Sequence, residues 1–144
     1  MNMTSFKNLV SIIIPTFKGA HSIDKMFVEL MDVFKEHKIE IIIVNDFSPD
    51  NTHEKCLKLY DDFPNYLTYI KLSRNVGEHN AVMAGLRHAK GDWVIIMDDD
   101  FQNPPKEALK LLNYSLENNF DVIYGDYTNK KHNLFRNLKF LSLN

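Results

Sequence analysis

Short apolar runs rich in β-branched residues alternate along this chain with longer segments whose apolar residues recur at helical spacing. Leu9-Val10-Ser11-Ile12-Ile13-Ile14 is the first run, nearly continuous and halted at Pro15, which predicts a strand buried on both faces. Thr16 to Ala20 read as a loop. Ser22 is placed to cap a helix to about His37, with Ile23, Met26, Phe27, Leu30, Met31 and Phe34 along one side. Ile39 to Val44 repeats the buried-strand pattern and ends at Asn45-Asp46-Phe47-Ser48-Pro49-Asp50. Asn51, with Glu54 three residues on, predicts a capping box and a helix to about Tyr60. Leu67 to Leu72 is a third strand whose mixed polarity suits a place near a sheet edge. After the Arg74-Asn75-Val76-Gly77 turn, a helix from Glu78 to Ala89 carries Ala81, Gly85 and Ala89 four apart, a groove of small residues that lets it approach a sheet closely. Trp93 to Met97 is a fourth strand, Pro105 to Asn118 a proline-started helix, and Phe120 to Tyr124 a fifth strand ending at Gly125.

Strict alternation of strand and helix implies right-handed crossovers. The predicted fold class is α/β, a doubly wound, mainly parallel sheet with helices on both faces. In such a sheet ligands bind outside the carboxyl ends of the strands, so Pro15-Thr16, Asn45-Asp46 and Asp98-Asp99-Asp100 are expected to face one crevice. The acids follow an apolar strand and precede Gln102-Asn103-Pro104-Pro105, which cannot continue it. Hard carboxylate oxygens there suit magnesium or manganese carrying a phosphate, with Asp98, Asp100 and Gln102 as candidate metal ligands. The bland alternative is a solvated acidic turn. Asp46 could cap its own turn or accept hydrogen bonds from a nucleobase. Arg74 could belong to a tight turn or meet a phosphate, and both uses can coexist.

Composition narrows the choices further. Of 144 residues, 44% are hydrophobic and 25% charged, the balance of one ordinary globular domain. Lys plus Arg number 17 against 19 Asp plus Glu, a net charge of -2 that predicts no general nucleic-acid affinity. A lone cysteine, Cys56, excludes an internal disulfide framework and fits a reducing compartment. The polar residues Met1 to Asn8 do not read as a signal peptide, and no segment reaches the roughly 20 apolar residues of a membrane span, so a cytoplasmic location is expected. Neither GxxxxGK[ST] nor GxGxxG follows the first strand, which argues against a phosphate-loop ATP site and a dinucleotide site. The histidines lack zinc-ligand spacing.

The blocks together are more specific than any one alone. Val10-Ser11-Ile12-Ile13-Ile14-Pro15-Thr16-Phe17, Val44 to Asp50, Arg74-Asn75-Val76-Gly77 with Ala81, Ala84-Gly85 and Ala89 to Asp92, and then Asp98 to Gln102 resemble the successive blocks of glycosyltransferase family 2, in the family's order and over nearly the whole chain. Asp98 to Gln102 followed by Asn103-Pro104-Pro105, with Asp121 to Gly125 downstream, is most similar to the polyprenyl-phosphate branch, which includes dolichyl-phosphate mannose synthase.

The resemblance implies a GT-A fold, a UDP-, GDP- or dTDP-sugar donor, magnesium or manganese, and inversion at the anomeric carbon. Carried over by position, it implies nucleotide contacts at Pro15, Thr16, Asp46, Arg74 and Asp98, and metal contacts at Asp98, Asp100 and Gln102; no catalytic base is assigned. Asn45 stands where many members have aspartate, and Phe47 where they often have glycine or asparagine. Residues 1–129 would form the nucleotide-sugar-binding part, and residues 130–144 a basic amphipathic tail leading into an acceptor-binding half. That tail could lie on a membrane surface at its cytoplasmic face, or be a helix awaiting the rest of its domain. The acceptor would be a lipid phosphate or a saccharide. A sugar-phosphate nucleotidyltransferase and a non-catalytic metal-binding interaction module are the competing readings.

Overall fold

The computed structural model describes residues 8–125 and 138–142. Over them the strands are β1 (Leu9–Thr16), β2 (Lys38–Asn45), β3 (Leu67–Lys71), β4 (Trp93–Ile96), β5 (Val122–Gly125) and β6 (Leu138–Ser142). They form one sheet in the order β3-β2-β1-β4-β6-β5. β1 pairs in parallel with β2 and β4, and β2 with β3, so the four N-terminal strands share one direction. The mixed-polarity third strand does lie at an edge. β6 runs antiparallel to both β4 and β5, which leaves β5 pointing the same way as β4.

The helices are α1 (Ile23–Val33), α2 (Thr52–Asp62), α3 (Glu78–Leu86) and α4 (Pro105–Asn118). Period-2 alternation along the central strand sends its side chains into two cores. Val10, Ile12 and Ile14 pack with Met26, Phe27 and Leu30 of α1, Cys56 of α2 and Leu112 of α4. Ile13 packs the other way, with Ile42, Val44, Val94 and Ala81 of α3. Helices therefore cover both faces, three on one side and α3 on the other. The small-residue groove explains how α3 fits there: a Cβ on Gly85 would stand 2.6 Å from Cγ2 of Ile13, closer than atoms pack.

β1 runs two residues past its expected end, through Pro15. Ile13 O accepts the Met97 N–H and Thr16 O accepts the Asp46 N–H, so alternation turns the Pro15 nitrogen toward β4. The β4 ladder has already stopped at Ile13↔Ile96, and the missing donor interrupts nothing. Two caps differ from expectation. Ser22 occupies the N-cap of α1, but its hydroxyl donates to Gly19 O rather than accepting from the helix. At α2 the Asn51 side chain makes no cap bond; Asp50 Oδ1 instead accepts both the N–H and the hydroxyl of Thr52. Burial works against the Asp50 carboxylate, but the hydrogen bonds from Thr52, with that from the Ala20 N–H, outweigh it and hold its carboxyl below the usual range.

The C-terminal segment also differs. Residues 138–142 are neither a helix nor a surface tail but a strand filling the gap between β4 and β5, and among the described residues β5 has its ladder partner only there. An expected boundary at residue 129 thus falls inside one sheet. Residues 130–137, with most of the basic side chains expected to face a membrane, lie outside the described residues, as do residues 1–7. Among the described residues, no helix is long and apolar enough to cross a membrane.

Replacing Gly85 with alanine should lower unfolding stability in urea by about 1–3 kcal/mol, because α3 must lift from Ile13. Burial pushes the Cys56 thiol up to about 12, so a disulfide reagent at pH 8 should label it only after denaturation.

Candidate functional site

Four loops leave the carboxyl ends of β1 to β4 on one rim of the sheet, and short polar bonds lace them together. Asp46, the first residue past β2 and nearly fully buried, donates its N–H to Thr16 O of β1 at 2.9 Å. Its carboxylate accepts the N–H of Val76 at 2.8 Å and of Gly77 at 2.9 Å, and the Asn75 amide donates to its carbonyl at 3.2 Å. The turn after β3 thus hangs from one aspartate. From the same β1 end, the Thr16 hydroxyl donates to Asp99 Oδ2, tying in the acidic loop. Lys18 N–H donates to Ser48 Oγ at 3.0 Å, which joins the first and second loops again.

Each loop carries one residue in the left-handed region: Lys18 at φ 60°, Phe47 at φ 58°, Gly77 at φ 88° and Phe101 at φ 60°. Only glycine adopts that geometry without cost, and such outliers persist where the surroundings hold them. Phe47, a bulky residue in that region, is a backbone position under strain. Phe101 is held by its ring, which packs on the core and lies under the Lys25 ammonium at 4.8 Å.

The loops enclose a cavity of about 540 Å³ lined by Pro15, Thr16, Asp46, Asp98, Asp99 and Asp100, together with Phe17, Lys18, His21, Asn75, Gly77 and Glu78. Five of the seven residues expected to bind nucleotide or metal are therefore brought together. Arg74 is exposed and outside that lining, where its neighbours Asn75 and Gly77 stand, and Gln102 is outside it too, its N–H donating to Asp100 Oδ1 at 3.0 Å. Among the described residues, no three His, Cys, Asp or Glu side chains converge as a ready-made metal cage. Asp98 and Asp100 do both line the cavity, and a pair of carboxylates completed by ligand phosphates is the usual way magnesium is held. The donor set fits magnesium or manganese.

Asp99 went unassigned in the sequence. Burial pushes its carboxyl up, the Thr16 hydroxyl pulls it back, Asp100 adds to the rise and His21 opposes it. Gly19 leaves room for that contact, since any side chain there would overlap both Thr16 Oγ1 and Asp99 Oδ2. Behind the site lies a second unanticipated feature. The fully buried Asn45 accepts the Ser48 N–H through Oδ1 at 2.9 Å and donates from Nδ2 to the Tyr69 hydroxyl at 3.0 Å, while His53 Nδ1 lies 2.8 Å from the same hydroxyl. Asn45 is thus fastened on both sides, and the loop it begins is held from beneath.

Burial pushes the Tyr69 phenol up to about 12, against the bond from Asn45, so it is protonated at neutral pH. Tyr69→Phe should cost about 1–3 kcal/mol in chemical unfolding, because it leaves the buried Asn45 amide without its partner. A loss below half a kcal/mol would mean that the Asn45 amide finds another acceptor.

Comparison with known proteins agrees with this geometry. The family model described as glycosyl transferase family 2 matches residues 11–141. An undecaprenyl-phosphate 4-deoxy-4-formamido-L-arabinose transferase of Pectobacterium carotovorum is 33% identical over 137 residues, 94% of this chain and 42% of that protein. A transferase of the same name from Yersinia pestis is 35% identical, over 88% of this chain and 39% of its own. This chain therefore spans about two fifths of the length of these relatives. Among solved structures, the S. aureus TarS fragment 1–349 bound to UDP-GlcNAc superposes with a TM-score of 0.62 at 26% identity, over 78% of this chain and 32% of that one. The mannosyltransferase PcManGT of Pyrobaculum calidifontis, in complex with GDP-Man and Mn2+, gives 0.60 at 25% identity, over 67% and 28%. With the family match running from within β1 to within β6, across every loop of the crevice, the chain belongs to glycosyl transferase family 2.

Proposed function

We propose that this chain is the donor- and metal-binding part of an inverting glycosyltransferase that moves a sugar from a nucleotide-diphosphate sugar to a polyprenyl phosphate at the cytoplasmic face of a membrane. One observation carries the reading: a single cavity at the carboxyl rim whose wall combines Pro15, Thr16 and Asp46 with the carboxylates of Asp98 and Asp100. Relatives named for undecaprenyl-phosphate transfer, and structural neighbours holding UDP-GlcNAc or GDP-Man with Mn2+, support the substrate classes.

Pro15, Thr16 and Asp46 form the nucleoside side of the cavity in this reading, and Asp98 and Asp100 the metal side. Arg74, in the turn after β3, and Gln102, in the acidic loop after β4, join from outside the lining residues. A divalent ion bound there supplies charge neutralisation for a departing diphosphate. The protein's own contribution is position. The Thr16–Asp99 bond and the two N–H bonds to Asp46 keep both sides of the cavity at fixed separation, so a bound donor meets both at once. A phosphate acceptor arrives already anionic and needs no base to deprotonate it.

Calorimetry with UDP, GDP and dTDP, each with and without manganese, tests the proposal. One of the three should bind with manganese and lose about tenfold or more in affinity in Asp100→Ala. Failure of all three to bind, or manganese-dependent binding that survives Asp100→Ala, would overturn it.

A further inference from the structure

A diphosphate entering this cavity meets five carboxylates, those of Asp46, Glu78, Asp98, Asp99 and Asp100. Asp46 spends its charge on two backbone N–H groups and Asp99 bonds to the Thr16 hydroxyl, but among the described lining residues carboxylates still outnumber lysine and arginine. Among the described residues, Lys18 is the sole lysine or arginine in the lining. Arg74, the cation expected from the sequence, stands outside it.

Three further features set Lys18 apart. Its backbone is left-handed at φ 60°, a conformation that favours glycine or asparagine and costs a lysine on the order of 1 kcal/mol. The N–H bond to Ser48 Oγ fixes that conformation, so the strain is built in rather than incidental. The ammonium lies 5.4 Å from the centre of the Phe17 ring, which also lines the cavity, and no carboxylate among the described residues is within ion-pairing distance of it. A strained lysine with an uncommitted charge at the wall of an acidic cavity has a side chain that earns its backbone.

We propose that Lys18 is a binding residue for the donor's diphosphate, giving the protein's own positive charge to its phosphate oxygens. This rests on the nucleotide-sugar reading above and adds to it the residue that recognises the anionic part of the ligand. Lysine suits the task as a compact point charge on a flexible stem, able to follow the diphosphate as it separates from the sugar.

Lys18→Asn separates function from strain, because asparagine tolerates the left-handed region and carries no charge. With manganese present, the affinity for the nucleoside diphosphate bound by the parent should fall about tenfold, while that for the matching nucleoside, titrated at millimolar concentration, stays within about twofold. The melting temperature should equal or exceed the parent's, since strain is relieved. Lys18→Arg should recover most of the diphosphate affinity, and added sodium chloride should weaken binding less in Lys18→Asn than in the parent. Equal losses for nucleoside and nucleoside diphosphate, or no loss for either, would overturn the role of Lys18 alone. A parent chain that binds neither would overturn the nucleotide reading, and this inference with it.

Discussion

The rim of this sheet depends on one buried carboxylate. Asp46 leaves β2 with its N–H committed to Thr16 O and both side-chain oxygens committed to the Val76 and Gly77 N–H groups. Charge-assisted bonds of this kind are about twice as strong as neutral ones, and a buried N–H left without a partner costs about 1–3 kcal/mol. The turn after β3 therefore has little freedom to move away. Since the Thr16 hydroxyl also reaches Asp99, the ends of β1 and β2, the turn after β3 and the acidic loop after β4 behave as one braced frame. Parallel strands bring these ends to one edge by topology alone, but topology fixes them only to within a loop's reach. The Asp46 and Thr16 bonds bring them to hydrogen-bond distance.

The same bracing explains how the rim holds its unfavourable backbone. Lys18, Phe47 and Phe101 sit in the left-handed region in three separate loops, a combined cost on the order of a few kcal/mol. Each is offset locally. Lys18 is pinned by Ser48, Phe47 lies inside the turn closed by Asn45 and Ser48, and the Phe101 ring is anchored in the core. Asn45 needs Tyr69 in turn, so the strand at the edge of the sheet stiffens a loop one strand away.

Much of this was legible in the sequence, and the exceptions have physical causes. Continuous apolar runs such as Ile39 to Val44 announce buried parallel strands, because no solvated face interrupts them. The strand ends then place Pro15, Asp46 and the aspartates of residues 98–100 at one edge without further information. The α2 cap was not legible: Asp50 and Asn51 are both good cap residues, and only the surrounding fold selects between them. β6 was misread because Leu138-Lys139-Phe140-Leu141-Ser142 fits a helical face as well as a strand, and its partners lie far away in sequence. The Asn45–Tyr69–His53 chain draws one residue from each of three elements, a proximity that no local pattern encodes. A left-handed lysine was equally hidden, since nothing about Lys18 itself favours that geometry.

The distribution of charge follows from these bonds. Of the three consecutive aspartates, the middle one turns to Thr16, so its neighbours on either side share the cavity wall with it while its own acceptor capacity is partly used. Burial already opposes ionisation of Asp99, and a second carboxylate beside it adds to the opposition. A cation held by Asp98 and Asp100 would reverse that balance, favouring the ionised form throughout the loop and strengthening the clasp with the Thr16 hydroxyl. Metal occupancy and the spacing of the two halves of the cavity are then not independent. An ion held there would tighten the Thr16–Asp99 bond that ties the acidic loop to the end of β1.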